Sequence, residues 1–505
     1  MDDNRGRWAA AGVVTMFVGL ATSYATAMAL TIRESPVVAV AELIIRLTPG
    51  AIAEWLISIV GQLDKPLLIL GIVACLVAMG ALAGSLARHS VLKPVLVWVV
   101  LALVGGAAVM VQPGASVVDV LPVLVGFVTW LVVLSALSKP LVTERAHPEL
   151  ESRERRVFLM VAGVFGLAAV GIAGAGRVVG RGRRHVAESR RLLRLEGVTR
   201  PLAPADTSIG LPGIAPWQTP NDDFYLIHTA ISVPTIEPKD WTLRIHGLVD
   251  RELVLTYNDL VARQLTESWM TLNCVSNEVG GDLVGNAWWS GIRIADLLEE
   301  VGLDPSADCI LQTSEDGWNC ATPLSALTDD RDAMLAVAMN GKPLPIEHGF
   351  PVRTIVPGLY GYVSATKWVV DYEVTRFADV SAFWTDRGWS EEGPVKMASR
   401  IDVPRSGDDV AVGDVNVGGL AWAQHTGIDT VELSVDGGEW QPAQLAQTPS
   451  EDTWVQWALT VSLDEGEHEL RVRATDNDGL EQTGVRRDVL PDGATGWHTI
   501  QVRAT

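Results

Sequence analysis

The sequence predicts a multi-domain chain with an N-terminal α-helical transmembrane bundle, a central α+β domain and a C-terminal immunoglobulin-like β-sandwich. The chain has 505 residues, more than one compact core usually holds. Its first third contains five long apolar stretches, and after Pro404 short alternating strands replace the helical patterns. We place the boundaries at 1–176 for the transmembrane domain, 177–205 for a basic, Pro-rich linker, 206–403 for the α+β domain and 404–505 for the sandwich.

The charge of the chain divides in a similar way. Residues 1–200 carry 20 Lys and Arg against 13 Asp and Glu, whereas residues 201–505 carry 19 against 47. A surface as acidic as that of the second part repels phosphate backbones, which argues against nucleic acid as a partner. Four cysteines in a chain of this length are too few for a disulfide framework. Whether Cys309 and Cys320 form a disulfide or are two separate thiols stays open.

Five stretches of the first part are long enough to cross about 30 Å of hydrocarbon. They are Trp8–Leu30, Leu67–Leu86, Pro94–Val111, Val120–Leu137 and Val157–Gly176. The apolar segment Val37–Leu63 is interrupted by charges and by a Thr-Pro-Gly break, so we predict a bent pair of short interfacial helices there. The five stretches contain no histidine, so we expect no haem held between them.

The orientation follows from the cationic side chains. Lys and Arg collect before the first stretch, after the second and after the fourth, whereas loop 112–119 has none. This pattern predicts a multi-pass protein of the cell membrane whose chain after the fifth stretch lies on the extracytoplasmic side. The run around Arg155 and Arg156, followed by Gly and Ala, resembles a twin-arginine signal that exports folded domains. The alternative is that both arginines are ordinary cytoplasmic flanks.

The acidic part mixes two kinds of pattern. Trp241–His246 alternates like a strand, Thr256–Gln264 and Ile294–Val301 have helical periodicity, and Thr354–Val356 enters a Pro-Gly turn. These patterns predict an α+β unit. Beyond Pro404, alternating runs are separated by Asp-Gly, Gly-Gly and Glu-Gly turns, which is typical of an immunoglobulin-like sandwich.

Several motifs of the acidic part occur in a fixed order. They are Thr271–Asn277 with the letters TLNCVSN, Gly285–Ile292, Ala338–Pro345, His348–Arg353, Val356–Gly358 and Lys367-Trp368. Together they resemble the molybdopterin domain of the sulfite oxidase family, and Ser434–Gly438 with Trp440 is similar to the C-terminal domain of that family. The resemblance implies a molybdenum-molybdopterin cofactor and two-electron oxygen-atom transfer. It does not extend to the membrane part.

The resemblance also implies roles for individual residues. It makes Cys274 the catalytic residue and the protein ligand to the metal, and a soft thiolate suits that role. It assigns contacts with the cofactor to Asn221, Tyr225, His228, Thr313, Asp316, His348, Arg353, Ser364 and Lys367. The alternative for each is a polar group that serves only the fold. For Thr313 and Asp316 the match depends on Asp316-Gly317 alone.

The chain departs from the family where sulfite would bind. Members that oxidise sulfite carry arginine in the first pterin loop and just after the cysteine motif. This chain has Leu226 and Ile227 in the first position, and Glu278 and Val279 in the second. Missing cations and an added carboxylate oppose a small dianion. We therefore expect a small-molecule or peptide S-oxide or N-oxide as the substrate, with a sulfite oxidase proper and a non-catalytic surface-binding protein as the alternatives.

The membrane part and the C-terminal domain suggest the remaining interaction partners. The five stretches contain almost no ionisable residues along which protons or ions would pass, so anchoring in the membrane is the simpler interpretation. A quinone or another electron-transfer partner stays open for this part. A C-terminal domain of the dimerisation type leaves a homodimer open.

Overall fold

The structure is a computed structural model of the full chain. It describes residues 3–30, 32, 34–50, 52, 56, 59–60, 63–112, 114–147, 151–179 and 182–505. The chain forms two compact units, of which the first comprises residues 1–187 with 230–234 and the second comprises 188–229 with 235–505. The predicted boundaries at residues 205 and 403 fall inside the second unit.

Long helices build the first unit. They are α1 Asp3–Ala29, α2 Pro36–Leu47, α3 Asp64–Ala87, α4 Leu92–Met110, α5 Leu121–Ala146, α6 Glu151–Val179 and α7 Gly182–Leu192, of which α7 continues into the second unit. Within the described residues, five helices are long and apolar enough to cross a membrane, and they coincide with the five predicted stretches. The predicted interfacial pair is described in its first half, as α2. Most of residues 51–62 lie outside the described residues.

Helix α1 occupies the middle of this unit and packs against α3, α5 and α6. Its N-terminal end is tied to α5, because the Arg7 guanidinium lies 2.7 Å from the Glu144 carboxylate and both side chains are largely buried. On another face α1 meets α3 at glycines of both helices. A Cβ at Gly84 would lie 2.7 Å from the backbone nitrogen and 2.9 Å from the Cα of Gly12, closer than real Cβ contacts. The two backbones therefore approach as in small-residue helix pairs.

The α+β part of the second unit contains two sheets. The first is ordered β2-β1-β10-β5-β6, with β1 and β10 parallel, and the second is ordered β3-β4-β7-β8, with β9 on β7. The strands are β1 Thr242–Gly247, β2 Leu253–Thr256, β3 Thr266–Asn273, β4 Val284–Arg293, β5 Cys309–Ser314, β6 Asn319–Pro323, β7 Met334–Met339, β8 Lys342–Pro343, β9 Arg353–Ile355 and β10 Val369–Thr375. The helices are α8 Tyr257–Val261, α9 Ile294–Val301, α10 Leu324–Thr328 and α11 Gly361–Ser364. An α+β fold is therefore confirmed.

Local predictions in this part are confirmed with one correction. The strand predicted at Trp241–His246 is β1, and the helix predicted at Ile294–Val301 is α9. The helix predicted over Thr256–Gln264 is wrong in its second half, because α8 ends at Val261. Thr256 caps its start, since the hydroxyl accepts the Asp259 N–H and the Asp259 carboxylate accepts the Thr256 N–H. Strand β3 begins only a few residues later, which leaves no room for another helical turn.

The C-terminal part pairs two further sheets across one apolar core. The strands are β11 Ala398–Val403, β12 Asp409–Val410, β13 Gly413–Trp422, β14 Ile428–Val435, β15 Gln441–Pro442, β16 Gln444–Leu445, β17 Val455–Leu463, β18 Gly466–Asp476 and β19 His498–Ala504. One sheet is ordered β11-β13-β17-β16 and the other β12-β19-β18-β14-β15. Trp457 of the first sheet and Leu433, Leu470 and Val502 of the second belong to the same buried cluster. The immunoglobulin-type arrangement stays a prediction.

Thr271 of β3 joins the α+β part to the C-terminal sheets. Its N–H donates to the Asp452 carbonyl at 2.9 Å, and its hydroxyl accepts the Trp454 N–H at 2.8 Å. The Gln424 side chain donates to its carbonyl. All three partners lie in the C-terminal part, so Thr271 is hydrogen-bonded to that part through its N–H, its carbonyl and its hydroxyl.

We predict that Gly84→Ala destabilises the helical unit, because the new Cβ has to separate α3 from α1. The expected loss is about 1–3 kcal/mol of unfolding free energy, as for other overpacked sites. Gly71 of the same helix is the matched control, since nothing lies within 4 Å of a Cβ placed there. Thermal unfolding of the full chain in detergent should show a lower Tm for Gly84→Ala alone. Equal Tm values for the two variants would contradict the close approach.

Candidate functional site

Cys274 lies immediately after the last residue of β3. Its N–H donates to the Leu283 carbonyl at 3.0 Å, and its own carbonyl accepts the Asn277 N–H at 3.1 Å. The Asn277 side chain in turn accepts the Leu283 N–H at 2.9 Å. These bonds close the turn between β3 and β4, so the thiol is held on a rigid loop at the end of the sheet.

The Cys274 thiol is surrounded by groups with opposing effects on its charge. Burial raises the pKa of Cys274 and is the largest effect. The N–H and hydroxyl of Ser276 donate to the sulfur and lower the pKa, and the ammonium of Lys367 lowers it further. The site therefore supplies donors and a cation for a thiolate while keeping the thiol protonated in the protein alone.

The two cations Arg353 and Lys367 form a cluster with His348 beside this loop. The backbones of Arg353, in β9, and Lys367 pair in an isolated antiparallel β-bridge. The Arg353 guanidinium donates to the His348 carbonyl at 3.2 Å. The guanidinium also lies 5.3 Å from the ring centroid of Trp289. Burial lowers the pKa of Arg353 to about 10. Burial, together with the charges of Lys367 and Arg353, lowers the pKa of His348 to about 3, so this imidazole is neutral at physiological pH.

The loop before β1 brings Tyr225 and His228 to the same place. Burial raises the pKa of the Tyr225 phenol, whose electrostatic neighbours are Cys274 and Arg353. The His228 ring lies 5.8 Å from the Trp368 ring, edge to face. The Lys367 ammonium donates to the Ile227 carbonyl at 3.0 Å, which fixes the loop beside the cluster. Six of the predicted residues are thus brought together: Cys274, Tyr225, His228, His348, Arg353 and Lys367.

Two other predicted residues are already engaged by protein groups. The Asn221 amide donates to the Met339 carbonyl at 3.2 Å, and its oxygen accepts from Asn340 at 2.7 Å. The backbone carbonyl of Asn221 accepts a hydrogen bond from the His348 ring. The buried Ser364 hydroxyl donates to the Leu359 and Tyr360 carbonyls. Both residues border the cluster and hold its loops in place.

Thr313 and Asp316 lie on the first sheet and on the turn that follows it. Thr313 stands opposite Asp371 and Asn319 in the register of β5. The Asp316 carboxylate accepts the Trp318 N–H at 3.0 Å within the β5–β6 turn. The neighbouring Glu315 N–H donates to the Trp368 carbonyl, which brings this turn next to the segment that carries Lys367. Their contact with a cofactor stays a prediction.

Comparisons with known proteins identify this arrangement. The profile of the family described as "Oxidoreductase molybdopterin binding domain" matches residues 230–384. The uncharacterized oxidoreductase YuiH of Bacillus subtilis is 33% identical over 181 residues, which cover 36% of this chain and 87% of that protein. The chain belongs to the sulfite oxidase-like molybdopterin-binding oxidoreductase family. It is a molybdopterin-dependent oxidoreductase.

Two further proteins extend the comparison. Mitochondrial sulfite oxidase of Homo sapiens is 29% identical over 340 residues, which cover 56% of this chain and 61% of that enzyme. The chain therefore spans less than two thirds of the human enzyme. The crystal structure of the sulfane dehydrogenase SoxCD from Paracoccus pantotrophus aligns with a TM-score of 0.51 at 24% identity and covers 57% of this chain and 82% of that one. This second likeness shows the fold alone.

The residues present fit the cofactor of the family. Arg353 is 4% exposed, and within the described residues its contacts are carbonyl oxygens and the face of Trp289, with no carboxylate among them. A buried guanidinium without an opposite charge is costly, so the pocket favours an anionic group such as the phosphate of the pterin. The buried indole N–H of Trp289 also has no acceptor within the described chain. Arg353 and Lys367 could hold the phosphate, and Cys274 the metal.

Three contributors were not among the predicted site residues. Ser276 donates to the thiol, Trp289 lies under Arg353, and Tyr360 has Cys274 among its electrostatic neighbours. Ser276 and Trp289 stand inside the motifs TLNCVSN and GNAWWSGI, so their positions carried a signal. Tyr360 is placed by the turn after Gly358, and no motif pointed to it. Its hydroxyl accepts the Lys396 N–H at 3.3 Å.

We predict that Arg353→Ala loses more molybdenum than Arg353→Lys. Lysine keeps the positive charge but lacks the bidentate hydrogen bonding of the guanidinium, whereas alanine lacks both. One charge-assisted hydrogen bond contributes about 1.5–3 kcal/mol, so Arg353→Ala should lower affinity for the cofactor at least about tenfold. Molybdenum per polypeptide, measured by mass spectrometry of the purified full chain, is the readout. The control is Arg244→Ala, whose exposed partner is Glu252. Wild-type molybdenum content in Arg353→Ala would remove Arg353 from the site.

Proposed function

We propose that the protein is a membrane-anchored, outward-facing molybdenum-cofactor oxidoreductase that transfers an oxygen atom in a two-electron reaction, with an S-oxide or N-oxide as its substrate. The observation that carries this proposal is the convergence of the Cys274 thiol with the buried guanidinium of Arg353 and the ammonium of Lys367 at the end of β3. A site of this kind combines a thiol that can bind a metal with cations that can bind a phosphate.

The chemistry supplied by molybdenum-molybdopterin when bound is the exchange of an oxygen atom and two electrons with the substrate. Reduction of a sulfoxide then consumes two electrons and two protons and yields a sulfide and one water. With the cofactor bound, Ser276 would hold the Cys274 thiolate, and Arg353 and Lys367 would neutralise the anionic end of the cofactor. His348 is neutral in this cluster, so it orients by hydrogen bonding and adds no charge.

The substrate follows from the side chains that replace the arginines of sulfite-oxidising members. Leu226 and Ile227, in the first pterin loop, are 42% and 47% exposed. Exposed aliphatic groups suit the organic part of a substrate and offer nothing to a dianion. Glu278, four residues after Cys274, is also exposed and adds a negative charge. A sulfite oxidase proper and a non-catalytic binding protein are the two competing functions.

The membrane arrangement rests on the five apolar helices and on the charges between them. Their length and composition support anchoring, and the cationic loops favour a cytoplasmic N-terminus with the second unit outside. Electrons would reach the site from a quinol or from a redox protein on the outer side. A homodimer through the C-terminal sheets is part of this proposal.

We predict that the full-length holoenzyme reduces a neutral S-oxide with an artificial electron donor and oxidises sulfite with a kcat/KM at least about a hundredfold lower. Two missing charge-assisted contacts account for a loss of this size. Cys274→Ser should abolish turnover while thermal unfolding stays near that of wild type. Sulfite oxidation that is faster than S-oxide reduction would favour the sulfite oxidase alternative. A molybdenum-free wild-type protein with no turnover would favour the binding protein.

A separate prediction concerns export. If Arg155 and Arg156 belong to a signal for folded domains, changing both to lysine should leave the second unit in the cytoplasm while the first four helices still insert. Protease accessibility in intact and permeabilised spheroplasts measures this. Lysine keeps the positive charge, so ordinary flanks would tolerate the change. Unchanged exposure on the outer side would support the flank interpretation.

A further inference from the structure

Two loops of the candidate site carry one histidine each, and each loop is hydrogen-bonded to a cation from an N-terminal helix. His228 lies in the loop before β1, and His348 lies in the short helical turn Ile346–His348 before β9. The His228 ring lies 5.8 Å from the Trp368 ring, and the His348 ring lies 5.8 Å from the Phe224 ring. The position of each imidazole therefore depends on how the backbone of its loop is held.

The loop of His228 is held by a lysine on each side. The Ile227 carbonyl accepts a hydrogen bond from the Lys367 ammonium at 3.0 Å. Two residues after His228, the carbonyl of the buried Ala230 accepts a hydrogen bond from the Lys65 ammonium at 3.1 Å. Lys65 is the second residue of α3, and Ala230 opens the segment 230–234, which belongs to the helical unit. A residue of a long apolar helix thus fixes one end of the first pterin loop.

The loop of His348 is held by Arg190, which lies near the end of α7. The guanidinium donates from Nε to the Leu344 carbonyl at 2.5 Å and from Nη2 to the Pro343 carbonyl at 2.8 Å. Two bonds from one planar group to consecutive carbonyls fix the orientation of this backbone as well as its position. Leu344 is fully buried, and only three residues separate it from His348.

The electrostatic surroundings of Arg190 also connect it with this site. Burial lowers the pKa of Arg190, whereas the carboxylates of Glu347 and Asp222 raise it. Glu347 directly precedes His348, and Asp222 directly follows Asn221. The His348 ring itself donates a hydrogen bond to the Asn221 backbone carbonyl. Arg190 therefore interacts with the chain on both sides of the contact that joins the two loops.

We propose that Lys65 and Arg190 are positioning residues of the cofactor site. Through the carbonyls of Ala230, Pro343 and Leu344 they hold the two histidine loops in the conformation that binds the cofactor. The N-terminal helices then do more than anchor the chain, because their cations determine the fraction of molecules in which the site is formed. This inference rests on the cofactor of the family and does not depend on the proposed substrate.

Molybdenum content of the full-length protein tests the positioning. Lys65→Met and Arg190→Met remove the donors and keep most of the apolar length of the side chains. Loss of one charge-assisted hydrogen bond shifts an equilibrium about tenfold, and the apparent affinity for a ligand falls with the fraction of molecules that are competent to bind it. Molybdenum per polypeptide should therefore fall at least about threefold in each variant. Lys65→Arg, which keeps the charge and the donors, should restore it.

The chain offers a matched control for each variant. Lys93 is exposed, is the second residue of α4 and precedes a proline, as Lys65 does in α3. Arg191 follows Arg190 directly, and its exposed guanidinium pairs with Glu188. Lys93→Met and Arg191→Met should keep the molybdenum content of wild type. A loss in these controls equal to that in Lys65→Met and Arg190→Met would overturn the inference, because the removal of any cation would then suffice.

Opening of the His228 loop is measured in full-length protein made without the cofactor, so that lost metal cannot loosen it. Leu226 and Ile227 are exposed, and thermolysin cleaves before residues of this kind. The rate of cleavage reports how often the loop opens. Lys65→Met should raise the rate of cleavage before Leu226 and Ile227 at least about threefold, whereas Arg190→Met should change it less than about twofold.

Opening of the His348 loop is measured in the same cofactor-free protein by hydrogen exchange. The N–H groups of His348 and Gly349 donate to the carbonyls of Pro345 and Ile346. Arg190→Met should raise their exchange rates at least about threefold, whereas Lys65→Met should change them less than about twofold. A general loss of stability would open both loops in both variants, so only the crossed pattern supports positioning.

The remaining outcomes are decisive as well. Wild-type molybdenum content together with wild-type opening of both loops in the Met variants overturns the inference. If a Met variant does not fold, Lys65→Gln or Arg190→Gln takes its place with the same expected changes. A molybdenum-loaded wild type that reduces no S-oxide contradicts the proposed function and leaves this inference intact, because none of its measurements uses turnover.

Discussion

The buried guanidinium of Arg353 is the constraint on which the rest of the site depends. It is surrounded by carbonyl oxygens and the Trp289 face, and no carboxylate meets it in the described part of the chain. Burial, together with the charges of Lys367 and Arg353, keeps His348 neutral, and Lys367 lowers the pKa of Cys274 against the larger effect of burial. The two cations therefore prepare the pocket for an anionic group.

This interior contrasts with the exterior of the same unit. Residues 201–505 carry 47 acidic against 19 basic side chains, and surface arginines such as Arg244 are paired with carboxylates. Carboxylates that neutralised Arg353 would compete with the phosphate of a cofactor. The acidic surface thus repels free anions in general, whereas the buried cluster retains a specific one that arrives with the cofactor.

The sequence predicted those features that periodicity or a fixed motif encodes. The five apolar helices and α9 follow from hydrophobic patterns, and the six clustered site residues follow from motifs of the family. Tyr360 could not be predicted as a neighbour of Cys274, because the fold brings the two together from segments far apart in the chain. The end of α8 was missed for a similar reason, since β3 and its pairing limit that helix from outside. Contacts of the Thr313 and Asp316 side chains with a cofactor remain predictions.

The hydrogen bonds of Thr271 determine where the second unit can be shortened. Its N–H, hydroxyl and carbonyl are hydrogen-bonded to Asp452, Trp454 and Gln424, which lie in segments that flank the C-terminal strands, three residues before Cys274. Cutting the chain near residue 403 would leave those groups of β3 without partners. A shortened version for crystallisation or for immobilisation on an electrode therefore has to retain both parts, because the C-terminal sheets are a component of the redox centre's scaffold.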